Sequence, residues 1–289
     1  PIARSGVPDE RVPWAVRWPA YGPPLFDGPE TDRRKASALA MDAWVRRSFM
    51  VAHGLKIRRD PRYGLPLNPK GRTGLRGRGN LVHWGPNFIS DAVITREVIR
   101  SSGHARVRCV EVLLLRRSDL IDSGQDVAEA PWGLPGSEVR PDDLAAPAAR
   151  AEFVESPSSA MARMAKVEQL ATRNAFGDTA DGVWSRGRTM FAGYVDHVRN
   201  TDHAWVEWSV AHFHSNEDET KVLATGRAAD DAAPAVRMWV DLAALCEGEA
   251  QGAPLVPGMH APHMALLAAV QRGDDKPEEL AGVHGASVA

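Results

Sequence analysis

The stretch from Ala204 to His214 alternates Val206, Trp208 and Val210 with Trp205, Glu207 and Ser209. Successive side chains of a strand point to opposite faces, so this one carries large residues on both. Such a strand needs cover on both sides, which places it inside a layered fold. Arg106 to Leu115, dominated by β-branched and aliphatic residues, predicts a second strand. Thr189–Asp196 and Arg237–Leu242 predict two more.

Helical spacing runs through Lys35 to Leu55, with Ala38, Met41, Val45, Phe49 and Ala52 as core contacts. Ser158 to Asn174 repeats the pattern with Met161, Met164, Val167 and Leu170. Asp143 to Ser156 predicts a short helix in which Pro147 falls in the first turn, where a missing N–H costs least. Pro262 to Gln271 predicts a last helix. Prolines recur through residues 1–30 and exclude a long helix there. Leu55 to Asn80 reads as loop, Ser118 to Ala130 as an exposed excursion, and the polar tail from Gly273 as mobile. Strands and helices interleave without strict alternation, which gives an α/β (α+β) class with a mixed sheet.

The chain has 289 residues, with 35 Lys+Arg against 37 Asp+Glu. This near-neutral balance argues against general nucleic-acid binding. Cys109 and Cys246 are too few for a disulfide framework or a cysteine zinc site, which fits a reducing compartment. Cys109, in mid-strand, reads as a small buried hydrophobe. Apolar runs such as Val110–Leu115 are far short of the roughly 20 residues of a spanning helix. The first residue is Pro1 rather than Met, which fits a fragment of a longer protein, or processing.

Three segments carry the chemistry. Between Gly71 and Gly79 there are four glycines in nine residues, among Lys70, Arg72, Arg76 and Arg78. Successive backbone N–H groups of such a loop can form an anion nest, and guanidinium groups suit phosphate. A solvated basic loop with turn glycines explains the segment equally well. The turn Trp132-Gly133-Leu134-Pro135-Gly136 leads toward Glu152 and Glu155, which share a helix face at i, i+3. Paired carboxylates can hold Mg²⁺, although two acids so spaced more often form a solvated face. The segment from Gly193 to Trp205 packs Tyr194, Asp196, His197, Arg199, Asn200 and Asp202 between two strands. It offers either a binding loop or an Asx-type turn. His212 and His214 face one side of a strand but have no third ligand nearby in sequence, so ordinary surface explains them better than a metal.

Together these segments resemble the ADP-ribose pyrophosphatase branch of the Nudix superfamily. The Trp-x-x-Pro-Gly turn and acidic helix are similar to the box G-x5-E-x7-R-E-U-x-E-E-x-G-U. The flanks carry more of the likeness: Gly64-Leu65-Pro66-Leu67-Asn68-Pro69, the glycine-rich basic loop, Gly85-Pro86-Asn87, Thr95-Arg96, and Gly193-Tyr194-Val195-Asp196 with Arg199-Asn200-Thr201-Asp202. That branch includes a mitochondrial enzyme and the C-terminal Nudix-homology domain of an ADP-ribose-gated melastatin-type TRP cation channel. Val7–Trp14 and Tyr21-Gly22-Pro23-Pro24 look closest to the channel version.

The resemblance implies an α/β/α Nudix sandwich with a mixed sheet, preceded by a smaller N-terminal domain, with the nucleotide in the cleft between them. The expected boundaries are 1–100 for the N-terminal domain, 101–275 for the Nudix-homology domain and 276–289 for a flexible tail. ADP-ribose is the implied ligand, Mg²⁺ the cofactor, and AMP with ribose 5-phosphate the products of hydrolysis. Implied ligand contacts are Asn87, Arg199 and His263, with Tyr194, Asp196 and Asn200 beside them and Arg76 and Arg78 from the basic loop. Glu152, Glu155 and Asp143 are the implied metal ligands, the first two catalytic.

The departures bear on function. In register with the box, Ser137 replaces the first Gly, Asp143 the first Glu, Ala151 the Arg and Ser156 the last Glu, while Glu152 and Glu155 are kept. Losing one metal carboxylate to a hydroxyl should lower turnover far more than affinity. His197 stands where an acid is usual, and Pro262 where a polar residue is expected. The expectation is an ADP-ribose-sensing domain with impaired hydrolysis. It would sit on the cytoplasmic face of a calcium-permeable, tetrameric channel, with no nucleic-acid partner and no membrane contact of its own. The alternatives are an active Mg²⁺-dependent pyrophosphatase, soluble in cytosol or mitochondria, and a plain interaction scaffold.

Overall fold

The computed structural model describes residues 2–28, 38–102, 105–117, 132–138, 188–215, 235–252, 255–256, 259 and 261–274. The expected helices at 143–156 and 158–174, the excursion at 118–130 and all but the first residues of the tail lie outside them. Two compact units divide the chain. Unit 1 holds Pro1–Ile89, Ala192–Trp208 and His284–Ala289; unit 2 holds Ser90–Phe191 and Ser209–Val283.

In unit 1 the proline-rich start forms only a 3-10 turn at Asp9–Arg11 before strand β1 (Leu25–Asp27). Helix α1 (Ala38–Val45) and the single turn α2 (Phe49–Ala52) follow, then strand β2 (Arg76–Gly79). Strand β1 pairs in parallel with β2, Leu25 opposite Arg76. The single helix expected over Lys35 to Leu55 is thus two. Ser48 leaves the helical region, with φ −55° and ψ 132°, and its side chain caps the next turn by accepting from Met50 N. The break has a tertiary cause, because Glu207 accepts from both Ser48 Oγ and Phe49 N. Val45 and Phe49 are buried as expected, whereas Ala52 is exposed. Phe88 packs edge-on against Trp44 and Phe49, at centroid distances of 5.3 and 5.6 Å. A second cluster joins Leu81, Ala204 and Val206.

Unit 2 is built on a long antiparallel hairpin. Strand β3 (Gly85–Ser102) pairs with β4 (Ala105–Arg117), Thr95 opposite Val112 and Ser102 opposite Ala105. Strand β5 (Trp132–Gly133) and β6 (Gly136–Glu138) lie on β4 and β3. Strand β7 (Arg188–Tyr194) and β8 (Ala204–Ser215) continue the sheet in the order β5-β4-β3-β8-β7. Strand β9 (Ala235–Asp241) runs antiparallel to β4. Parallel and antiparallel pairings both occur across the two sheets, as expected of a mixed α/β fold.

Strand β8 is buried on both faces over Ala204–Ala211, as its sequence demands. The core of unit 2 joins Ala92, Ile94, Leu113, Ala211 and Phe213, with Trp239 against them. The last strand runs into α3 (Leu242–Ala250), which Asp241 caps by accepting from Ala244 N. Helix α4 (Ala261–Arg272) matches expectation, burying Met264, Leu266, Leu267 and Ala269. Cys109 is only partly buried, which corrects the fully buried position its strand context implied.

Candidate functional site

In unit 1 the segment after β7 turns back into β8 through a set of buried polar groups. Asn200 Oδ1 accepts from Val206 N at 2.8 Å, and its Nδ2 donates to Val195 O at 2.9 Å. The same Nδ2 reaches the Tyr194 hydroxyl at 3.0 Å, and Asn68 Nδ2 reaches that oxygen at 3.3 Å. Two amide donors thus fill the acceptor positions of the Tyr194 oxygen, which leaves its own O–H to donate elsewhere. Burial pushes the Tyr194 phenol up to about 12, against the opposing pull of the Asn68 contact, so it is a neutral donor at physiological pH.

Asp202 ties this turn to the glycine-rich loop. Its Oδ1 accepts from Thr73 N at 2.7 Å and Thr73 Oγ1 at 2.9 Å, and its Oδ2 from the Tyr21 hydroxyl at 2.8 Å. Burial raises the Asp202 carboxyl above its ordinary value, while these donors pull the other way. The expected local Asx bonds are thus replaced: Asn200 reaches Val206 and Asp202 reaches Thr73 and Tyr21, while the local bond belongs to Thr201, whose Oγ1 accepts from His203 N at 3.3 Å. Asp196 is exposed and Arg199 partly buried, with Arg199 N donating to His197 Nδ1 at 3.2 Å.

The basic loop folds around the N-terminal segment. Arg72 donates to the carbonyls of Arg11, Pro13 and Val16, at 2.6 to 2.9 Å, and lies between the rings of Trp14, Trp18 and Tyr21. Arg76 Nε donates to Pro23 O at 2.9 Å. Arg78 N donates to Asp27 Oδ1, and the Arg78 guanidinium stacks on Trp84. Lys70 lies over the Tyr194 ring at 5.8 Å. The glycines serve this close approach. Gly71 has φ +125°, and a Cβ there would sit 2.3 Å from Val12 O. A Cβ on Gly74, at φ +78°, would sit 2.0 Å from Ser5 O. Much of the loop's positive charge is therefore directed at backbone carbonyls of residues 11–23, a partner distant in sequence.

Asn87 closes a turn. Its Oδ1 accepts from His83 N, and its Nδ2 donates to His83 O and Gly85 O, at 2.9, 2.9 and 3.1 Å.

In unit 2 the Trp-x-x-Pro-Gly turn docks on β3. Ala92 N donates to Pro135 O at 2.8 Å, and a Cβ on Gly136 would lie 1.6 Å from Asp91 Oδ1. Asp91, 7% exposed, places Oδ2 3.3 Å from His263 Nε2 in the first turn of α4. Sequence reasoning did not single out Asp91. Its signal was there: one acid inside the apolar run Phe88 to Ile94. His212 and His214 do face one side, and both reach Thr95 Oγ1, at 2.8 and 3.0 Å.

The expected metal and catalytic positions Glu152, Glu155 and Asp143 lie outside the described residues. Among the described residues no three His, Cys, Asp or Glu side chains gather as a metal site. No helix among them is long and apolar enough to cross a membrane.

A family model described as "NUDT9-like, N-terminal domain" matches residues 7–85. A Caenorhabditis elegans protein named "Putative nudix hydrolase 6" is 34% identical over 243 residues, covering 80% of this chain and 81% of that protein. The mitochondrial ADP-ribose pyrophosphatase of Rattus norvegicus is 30% identical, covering 83% of this chain and 69% of the enzyme. The transient receptor potential cation channel subfamily M member-like 2 of Nematostella vectensis is 32% identical over 80% of this chain, which spans only 15% of that channel. The chain belongs to the NUDT9-like branch of the Nudix family, whose members similar to it include both an ADP-ribose pyrophosphatase and segments of cation channels.

Proposed function

We propose that this chain binds ADP-ribose and hydrolyses it poorly or not at all, acting as the ligand-sensing segment of a cation-channel polypeptide. The observation that carries this reading is the contrast between its two halves. The turn bearing Tyr194, Asp196 and Arg199 is kept and braced by buried hydrogen bonds, whereas the box has Ser156, Ala151 and Ser137 at three of its defining positions.

The residues divide the work by chemistry. Arg199 supplies charge to a diphosphate. Tyr194 offers a neutral O–H donor, fixed by the amides of Asn68 and Asn200. Asn200 and Asn87 act through the turns they close, since their amide groups bond to neighbouring backbone. In unit 2 His263, beside Asp91, is the proposed ligand contact. Arg76 and Arg78 contribute positive field from positions fixed by Pro23 O and Asp27.

Magnesium, when bound to a Nudix box, supplies charge neutralisation and an activated water. Glu152, Glu155 and Asp143 are oxygen donors of the kind Mg²⁺ takes, and Ser156 adds only a neutral hydroxyl to that set. A weakened metal site loses turnover while the contacts that hold the nucleotide remain.

A second reading, an active ADP-ribose pyrophosphatase, is favoured by one observation. Two relatives with enzyme names are 34% and 30% identical over 80% and 83% of this chain.

One paired assay decides between them: calorimetric titration with ADP-ribose, and release of AMP from the same sample in millimolar Mg²⁺. Binding without AMP is expected. AMP release at about 1–10³ s⁻¹, abolished by Glu152→Gln, would establish the enzyme instead. Absence of binding would overturn both.

A further inference from the structure

A cavity of about 680 Å³ opens in unit 1, lined by residues that include Trp14, Lys56, Arg58, Arg59, Leu67 and Arg72. None of the residues given to ADP-ribose above is among them. The volume lies within the roughly 300–1,000 Å³ of small-molecule sites.

Its wall is a braced loop. Asp60 N donates to Leu65 O and Leu67 N to Arg58 O, both at 2.8 Å, and Arg59 bridges to Pro66 as an antiparallel pair. Arg59 is committed, to Asp42 and to Gly64 O.

Among the described residues no acid pairs with Lys56, Arg58 or Arg72. Arg72 is the most telling of them. It is 9% exposed, its hydrogen-bond partners are neutral carbonyls, and its Nε is buried with no partner at all. A buried charge is costly unless it is matched by an opposite charge or by good hydrogen bonds. Here three carbonyls and three aromatic faces hold the guanidinium, and what it lends the cavity wall is positive field. Lys56 and Arg58 also line the cavity and are exposed, and a concave surface of one sign concentrates ions of the other.

We propose that this cavity is a second anion site, taking a phosphorylated small molecule with at least two adjacent phosphoryl groups. A single inorganic phosphate would leave most of 680 Å³ unfilled. Lys56 and Arg58, backed by the positive field of Arg72, match the charge of a diphosphate or triphosphate. Trp14, Ile57, Pro61 and Leu67 give the cavity an apolar wall for the organic part of such a ligand.

The test is calorimetric titration of the whole chain with inorganic tripolyphosphate, first alone and then with ADP-ribose at saturation. One-to-one binding is expected in both, because the two ligands use different residues. The double variant Lys56→Ala, Arg58→Ala should weaken tripolyphosphate at least tenfold and leave the ADP-ribose titration unchanged. Both side chains are exposed, so the variant keeps its fold; an unchanged unfolding midpoint checks this. Arg58→Glu alone should weaken binding in the same direction. The proposal is overturned if tripolyphosphate does not bind, if ADP-ribose displaces it, or if the variants bind it as the parent does. A chain that failed to bind ADP-ribose but bound tripolyphosphate through Lys56 and Arg58 would sink the sensor reading and leave this one standing.

Discussion

Glu207 accepts a hydrogen bond from Ser48 Oγ at 2.5 Å, so one carboxylate from the middle of β8 fixes the break between α1 and α2. The same group accepts from Phe49 N at 2.6 Å and Trp205 Nε1 at 2.9 Å, and its residue is fully buried.

Replacing Glu207 with Ala strands three buried donors at once, each costing about 1–3 kcal/mol, and should cost about 3 kcal/mol or more. Glu207→Gln keeps one acceptor but sets an amide donor against Phe49 N–H, for about 1–3 kcal/mol. The two variants also differ from the parent in pH dependence. Burial raises the Glu207 carboxyl above its ordinary 4.5, against the pull of Ser48 and Trp205. In the window above 4.5 the folded chain therefore holds a proton that the unfolded chain has released. This group's contribution to stability is full below that value and is lost as pH rises through the raised one. Urea midpoints taken across pH 4.5 to 8 should show this component in the parent and lack it in Glu207→Gln.

His212 works in the opposite direction. Burial pushes its imidazole down to about 4, helped by Arg188 and His214, so the folded chain keeps it neutral. Between that value and the unfolded 6.5, the unfolded chain binds the extra proton. Stability from this group is full above 6.5 and is lost as pH falls toward 4. Over a fall from 6.5 to about 4, at about 1.4 kcal/mol per pH unit, the loss amounts to about 3–4 kcal/mol. His212→Asn should flatten the acid limb of the stability profile; a limb unchanged in that variant would remove His212 as its source.

How far the sequence foretold these features depended on whether the deciding contact was local. Strand β8 was legible because large side chains on alternate positions are a local pattern. Strand β3 was not, since Gly85-Pro86-Asn87 and Ser90-Asp91 interrupt its apolar run. Those residues are held by partners elsewhere: Asp91 beside Gly136 and His263, and Pro86 O by Trp44. Helical spacing over Lys35 to Leu55 runs through the break for the same reason, because Glu207 ends the first helix from across the unit. In the basic loop, spacing showed cations and glycines but not that Arg72 and Arg76 bond to carbonyls in residues 11–23. In the 193–205 turn the sequence shows the polar side chains; what the structure adds is which of them are spent internally, Asn200, Thr201 and Asp202 among them.

Tyr194 tests that division. Tyr194→Phe removes the hydroxyl that accepts from Asn68 and Asn200, and with it the O–H donor proposed for the ligand. Both amides keep a second acceptor, Thr201 O for Asn68 and Val195 O for Asn200, so the stability cost should be small, about 1 kcal/mol. Affinity for ADP-ribose should fall about tenfold, equivalent to about 1.4 kcal/mol. Titration calorimetry beside a denaturation curve separates the two effects. Equal affinity in the variant would show that the phenol is only a brace.

Gly136 sets the position of the turn that leads toward the box. A Cβ built there would meet Asp91 Oδ1 at 1.6 Å and Ser90 O at 2.7 Å, and neither can retreat. Ser90 O is backbone of a central strand, and Asp91 is buried against His263. Gly136→Ala must therefore lift β6 from β3 or expel the Asp91 carboxylate, at a cost of about 3 kcal/mol. Gly22→Ala is the matched control, since a Cβ there meets nothing within 4 Å; it should change stability by less than about 0.5 kcal/mol. Urea denaturation of the two variants measures the difference directly. A Gly136→Ala chain as stable as the Gly22→Ala control would mean that the turn and Asp91 are not in contact in solution.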